Sequence, residues 1–139
     1  MNAETPQGAA GSQGRLVIRT IAMPCDTNAR GDIFGGWLMS QLDLGGAVLA
    51  QQLANGRVTT VAVEKLDFIA PVKVGDTVTC FARLLSRGRT SMRLGLEAWA
   101  TRHGEITTKQ VARGIYIYVA IDAEGRPAPV PESARAEEI

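Results

Sequence analysis

The sequence predicts an α+β domain in which one long helix lies against an antiparallel sheet. Three observations carry this. Small or apolar residues recur at steps of three and four between Gly35 and Ala54, the helical period. From Arg57 almost to the end the pattern changes to period two. The segments between the period-two runs are short turns, too short for the crossovers that parallel strands require.

Taken in order, Met1 to Gly14 is polar and rich in Gly, Ala and Gln, and is expected to be a disordered tail. Arg15 to Ala22, with its β-branched residues, reads as a first strand ending at Met23-Pro24. Cys25 to Asp32 is a cluster of turn formers that delivers the chain to the helix. The helix runs from Gly35 or Gly36 to Ala54, with Leu38, Leu42, Gly45, Leu49 and Leu53 on one stripe, and Asn55-Gly56 closes it. Arg57 to Phe68 alternates with both faces mixed, and Ala70 to Asp76 breaks the run. Thr77 to Leu85 aligns Val78, Cys80, Ala82 and Leu84; Thr90 to Thr101 aligns Met92, Leu94, Leu96, Ala98 and Ala100. Ile106 to Ile121 is a last, thoroughly apolar strand, in which Ile115, Ile117, Val119 and Ile121 interleave with Tyr116, Tyr118 and Ala120. Residues 128–139 read as a loosely ordered tail, so 15–127 is the domain. A helix of about 20 residues spans ~30 Å and can be wrapped by a five- or six-stranded sheet. The edges of that sheet invite pairing with a second copy, which predicts a dimer with one continuous sheet.

Composition narrows the function. Fifteen Lys and Arg against 14 Asp and Glu leave a net charge of +1, so no nucleic-acid footprint or attraction to an anionic membrane is expected. No apolar run approaches membrane-spanning length. Cys25 and Cys80 fit no metal-ligand spacing and suit a reduced, cytoplasmic chain.

The helix carries the chemistry. Gly35, Gly36, Gly45 and Gly46 each cost about 1 kcal/mol relative to alanine in a helix interior, so something must approach this backbone closely. At Gly35 and Gly36 the first N–H groups lack helical partners and form a pocket for a polarised carbonyl. Asp43 lies seven residues beyond Gly36, ~10 Å along the axis, and the backward lean of helical side chains leaves a gap of roughly 6 Å. One carbonyl fits there, its oxygen on the amides and its carbon facing the carboxylate or a water held by it. A solvated surface position is the ordinary fate of an aspartate. Leu42 and Leu44 place this one beside the apolar stripe.

The loop Asp26-Thr27-Asn28-Ala29-Arg30-Gly31-Asp32-Ile33-Phe34-Gly35-Gly36-Trp37, the helix start Leu38-Met39-Ser40-Gln41-Leu42-Asp43, then Val61-Ala62-Val63 and Gly88-Arg89-Thr90-Ser91 together resemble the hotdog-fold acyl-CoA thioesterases, in their YciA-like branch. The resemblance covers about Leu16 to Pro127. It implies hydrolysis of acyl-CoA to free acid and CoA, at sites between subunits, in homodimers assembled into a hexamer, a trimer of dimers. It implies no cofactor, CoA being part of the substrate, and no metal. Asp43 matches the catalytic carboxylate, acting as base or nucleophile. Asn28 matches a residue that orients water or thioester from the partner subunit, and Gly35 and Gly36 the carbonyl-binding backbone. The turn Gly88, Arg89, Thr90, Ser91 matches the border of the CoA phosphates. Arg113 departs from the acidic residue that relatives often carry there.

Other residues have competing readings. Asn28 in a glycine-containing loop commonly bonds its own backbone. Asp32 suits an N-cap-like role. Arg87 and Arg89 are a solvated pair or a phosphate clamp, with Lys73 a weaker candidate of the same kind. Cys25 has no histidine nearby, His103 reads as a turn residue, and Tyr116 and Tyr118 read as subunit-interface packing. Two further readings are a non-catalytic acyl-CoA-binding module and an acyl-thioester dehydratase or hydratase. The second needs a histidine in the site.

Overall fold

The computed structural model of the protein describes residues 14–134. The tail expected over 1–14 lies, Gly14 apart, outside the described residues, as do 135–139. Strands β1 (Arg15–Ile21), β2 (Arg57–Phe68), β3 (Thr77–Arg87), β4 (Ser91–Thr101) and β5 (Thr108–Ile121) form one sheet in the order β1-β3-β4-β5-β2, every pair antiparallel. The one α-helix among the described residues, α1 (Gly35–Ala54), packs against all five strands. None of the described helices is long and apolar enough to cross a membrane.

The helix follows its sequence pattern. Leu38, Leu42, Gly45 and Leu49 are buried, and Asn55, left-handed at φ 52°, donates its N–H to the Gln51 carbonyl and ends the helix. Beneath it lie Val78, Cys80, Ala82 and Leu84 from β3 and Met92, Leu94, Leu96, Ala98 and Ala100 from β4, as their alternation requires. Two helical glycines set the layer spacing. A Cβ on Gly45 would stand 2.8 Å from Val17 Cγ2, and one on Gly46 would overlap the Tyr118 hydroxyl and stand 2.8 Å from Cζ. Neither contact is possible with a side chain present, so helix and sheet meet backbone to side chain here.

Three expectations are corrected. Tyr116 and Tyr118, read as interface packing, are 2% and 0% exposed and lie under α1, while Ile115, Ile117 and Val119 face away from it. Either half of this strand is apolar enough for a core, but only tyrosine places a hydroxyl against helix carbonyls: Tyr116 donates to Met39 O at 3.0 Å and Tyr118 to Asp43 O at 2.9 Å. Next, residues 128–134 are not loose. Val130 and Ala134 join the core, Val130 N–H donates to Arg89 O at 2.8 Å, and Ala128 N–H donates to Ala120 O at 2.8 Å. Arg87 fastens this strap by donating to the carbonyls of Val130 (2.8 Å), Pro131 and Ala134 (3.0 Å). Third, Asp32 does not cap α1. Phe34 holds the N-cap position with no side-chain bond, and Asp32 instead pairs with Lys73 Nζ, beside a backbone bridge between the same two residues.

The outer strands are β1 and β2. Register shifts between Thr60 and Ala62 and between Val63 and Lys65 break the alternation of β2, and leave Val61, Val63 and Phe68 exposed.

Arg87→Ala is expected to cost on the order of 2–3 kcal/mol in urea unfolding, because three carbonyls lose a charged donor. Arg89→Ala, on an exposed side chain of the same turn, is expected to cost under about 0.5 kcal/mol. The Asp32–Lys73 pair predicts a pH dependence. The hydrogen bond from Lys73, with its charge, holds the Asp32 carboxyl below its ordinary value of 3.8. A depressed folded-state value stabilises above the unfolded value and is lost as pH falls through the folded one. Lys73→Met therefore lowers the urea midpoint at neutral pH, and the gap to the parent closes as pH is taken well below 3.8.

Candidate active site

Asp43 sits in the third turn of α1, half-buried, where two strands reach it. Thr60 Oγ1 of β2 donates to Asp43 Oδ1 at 2.7 Å, and Tyr118 Oη of β5 donates to the same oxygen at 3.0 Å. Oδ2 has no hydrogen-bonding partner among the described residues. The carboxylate thus has one oxygen held and one open. Burial, then the charge of Asp43, pushes the Tyr118 phenol far above its usual range, so it stays a donor; Tyr116 is pushed up to about 12 by the same two causes in the same order.

At the start of α1 the N–H groups of Gly35 and Gly36 find no acceptor among the described residues, the first backbone bonds being from Trp37 and Leu38 to Phe34 O. A Cβ on Gly35 would meet the Phe68 ring at 3.2 Å, whereas one on Gly36 would meet nothing within 4 Å. Packing therefore explains the first glycine and not the second. Asn28 Oδ1 accepts from the N–H groups of Arg30 (2.9 Å) and Asp32 (3.1 Å), the loop-shaping bonds expected of asparagine. Its Nδ2 has no partner among the described residues. Asn28, Asp32, Gly35, Leu38 and Phe68 line one cleft of about 390 Å³, and Asp43 is not among its walls.

Gly88, Arg89, Thr90 and Ser91 form the β3–β4 turn, closed by Gly88 N–H donating to Ser91 O at 2.9 Å. Ser91 pairs with Val119 and Met92 with Tyr118, so this turn lies one register step from the tyrosine that meets Asp43. The Arg89 side chain is exposed. Arg87, the other half of the expected phosphate clamp, is committed to the strap carbonyls instead, which removes it from the candidates. Lys73 is engaged by Asp32. Arg113 lies on the sheet face opposite the helix, 3.4 Å from Asp67 Oδ2, and shares a shallow cleft with Lys65, Arg83 and Glu97.

Among the described residues no group of His, Cys, Asp and Glu could hold a metal ion. His103 is an exposed residue of the β4–β5 turn, beside Gly75 rather than α1. Cys25 is exposed, its thiol 3.6 Å from Asp26 Oδ1, and burial pushes the Cys80 thiol up to about 12. Sequence reasoning missed Thr60 and Tyr118 as partners of Asp43. One signal was available: a tyrosine at alternate positions of an apolar strand, opposite a glycine pair on the only long helix.

Comparison with known proteins gives the family. The profile of the Thioesterase superfamily matches residues 30–107. The acyl-CoA thioester hydrolase YciA of Salmonella typhimurium is 52% identical over 122 residues, covering 86% of this chain and 92% of that protein. Among solved structures, the hexameric thioesterase y2039 from Yersinia pestis matches with a TM-score of 0.84 at 46% identity, over 87% of this chain and 98% of that one. The hexameric hotdog fold thioesterase Cj0915 of Campylobacter jejuni matches with a TM-score of 0.81 at 35% identity, over 87% and 93%. The family profile covers more than half of the chain and these relatives cover most of it: the protein belongs to the thioesterase superfamily and has the hotdog fold.

Proposed function

We propose that the protein hydrolyses acyl-CoA thioesters to the free carboxylic acid and CoA, with Asp43 as the catalytic carboxylate. The observation that carries this reading is the asymmetric carboxylate: Oδ1 is held by two hydroxyls, and Oδ2, like the first amides of α1, has no hydrogen-bonding partner among the described residues. A thioester carbonyl is strongly electrophilic and a thiolate leaves readily, so a carboxylate suffices without a serine triad. Acting as base, Oδ2 takes a proton from water while the water oxygen attacks the carbonyl carbon. The amides of Gly35 and Gly36 hold the oxyanion. The tetrahedral intermediate then expels CoA thiolate, which recovers the proton. Acting as nucleophile, the same oxygen attacks the carbonyl carbon and expels CoA thiolate, and water then cleaves the resulting mixed anhydride to release the acid and restore the carboxylate, its spare proton going to the thiolate.

The site is proposed to lie between two protomers. In a single chain the cleft lined by Asn28 and Gly35 does not include Asp43. A second copy can bring its Asp43 to that cleft, and the exposed apolar residues of β2 supply a surface for it. Asn28 Nδ2 is then the donor that orients water or thioester. Further assembly into a hexamer follows the likeness to the Yersinia and Campylobacter enzymes. Arg89, Gly88, Thr90 and Ser91 are proposed to border the CoA phosphates, with Arg89 as the cation. Lys73 joins them only by leaving Asp32. Both cysteines are unpaired thiols, which supports a cytoplasmic location.

Asp43→Ala is expected to lower thiol release from acyl-CoA by roughly a hundred- to ten-thousand-fold, with the assembly unchanged by size-exclusion chromatography. Near-parental turnover in a folded variant would remove Asp43 from the mechanism. Arg89→Ala is expected to raise KM for CoA esters more than it lowers kcat, and to leave CoA-free thioesters unaffected. Equal impairment on both substrates rules out the phosphate contact.

A further inference from the structure

Asp43 is gripped from the sheet by two side chains of different stiffness. Thr60 comes from β2, an outer and largely exposed strand. Tyr118 comes from β5, between β4 and β2, and is 0% exposed, with the Tyr116 ring stacked 6.5 Å away. The Tyr118 hydroxyl lies 2.9 Å from the backbone carbonyl of Asp43 and 3.0 Å from its Oδ1. One oxygen therefore locates both the main chain and the side chain of the same residue. An aspartate on a helix surface otherwise exchanges among rotamers. Here Oδ1 is fixed from below, and Oδ2 is left as the one oxygen of Asp43 without a partner among the described residues. The chain gives up a side chain to permit this: any Cβ at Gly46, three residues past Asp43, would occupy the space of the Tyr118 hydroxyl. Propensity penalises glycine in mid-helix by about 1 kcal/mol, and no other described atom crowds this position as closely.

We infer that Tyr118 is a positioning residue for thioester hydrolysis, its hydroxyl reaching through the gap left by Gly46 to clamp Oδ1 of Asp43 and keep Oδ2 turned toward the water or the thioester carbon. This rests on Asp43 being the catalytic carboxylate. Tyr118 acts through Asp43 alone and touches no reacting atom. Its loss therefore lowers kcat and spares substrate binding, since misplacing a reacting group slows the chemical step without weakening contacts to the rest of the ligand. Thr60 retains one bond to Oδ1, so the loss is partial.

Tyr116 supplies the control within the same strand. Its hydroxyl donates to a carbonyl of the same helix, Met39 O at 3.0 Å, and reaches no carboxylate. Tyr116→Phe and Tyr118→Phe each remove a buried phenol hydroxyl from a helix carbonyl, and Tyr118→Phe alone also releases a carboxylate oxygen, so a role confined to seating the helix predicts similar effects on kcat for the two. The experiment measures kcat and KM for acyl-CoA by thiol release, with Tm, for Tyr118→Phe, Tyr116→Phe, Gly46→Ala, the double variant Gly46→Ala/Tyr118→Phe and Asp43→Ala. Expected is a fall in kcat of roughly 10- to 100-fold for Tyr118→Phe, the scale of a hydrogen bond to a charged group, with KM within about threefold of the parent. Tyr116→Phe keeps kcat within about threefold at a comparable loss of Tm. Gly46→Ala displaces the hydroxyl and falls in kcat with Tyr118→Phe, and the double variant is no slower than the slower single one. Equal kcat losses for the two phenylalanine variants overturn the proposal, and so does a parental kcat in Tyr118→Phe while Asp43→Ala is inactive. An active Asp43→Ala removes the underlying reading instead, and the positioning role with it.

Discussion

The close approach of helix to sheet at Gly45 and Gly46 is the constraint on which the rest of the molecule depends. With side chains at these positions α1 would stand farther from β1 and β5, because Val17 and Tyr118 already occupy the space a Cβ would need. The leucine stripe at Leu38, Leu42 and Leu49 could still be buried at a larger spacing. What would be lost is the reach of the tyrosine hydroxyls to the helix carbonyls. Two glycines that weaken an isolated helix thus fix the depth at which this one is seated, and with it the height of the Asp43 carboxylate above the sheet.

Much of the fold was legible because burial and periodicity coincide. Leu38, Leu42, Gly45 and Leu49 announce the helix, Asn55 its end, and the alternation from Val78 to Leu84 and from Met92 to Ala100 marks the sheet face beneath it. Glycine in mid-helix correctly signalled a close neighbour, without saying which. Asp43 could be singled out from its place beside the stripe and from the resemblance of the surrounding motif. What failed did so where two patterns were equally apolar or where a partner is remote in sequence. In β5 both sets of alternate residues suit a core, so nothing local says that Tyr116 and Tyr118 face inward. Thr60 precedes a register shift that resets the alternation of β2, and that shift is invisible without its partner strand. Arg87 was misread because its acceptors are bare carbonyls more than 40 residues on, and carbonyls leave no trace in a sequence.

The loop before the helix shows how one asparagine can satisfy a local reading and leave room for a functional one. Asn28 spends its Oδ1 on the amides of Arg30 and Asp32, which sets the curvature of the loop and seats Asp32 against Lys73. The amide nitrogen of the same side chain is thereby oriented without being used. A side chain fixed at one end is a better donor to a ligand than a mobile one, since little rotamer entropy remains to be lost on binding.

Strand order carries a consequence for how the molecule is made. β1 pairs with β3 and β2 with β5, so neither of the first two strands to leave the ribosome finds a neighbour until much later sequence has been synthesised. The segment that fills the slot between β4 and β2 is the last of the five, and the strap that follows closes the core with Val130 and Ala134. The nascent helix accordingly has no completed surface to dock on while translation proceeds. The five-stranded sheet is therefore complete only once β5 has been made, and the apolar flank of β2, at Val61, Val63 and Phe68, is exposed in the single chain even then.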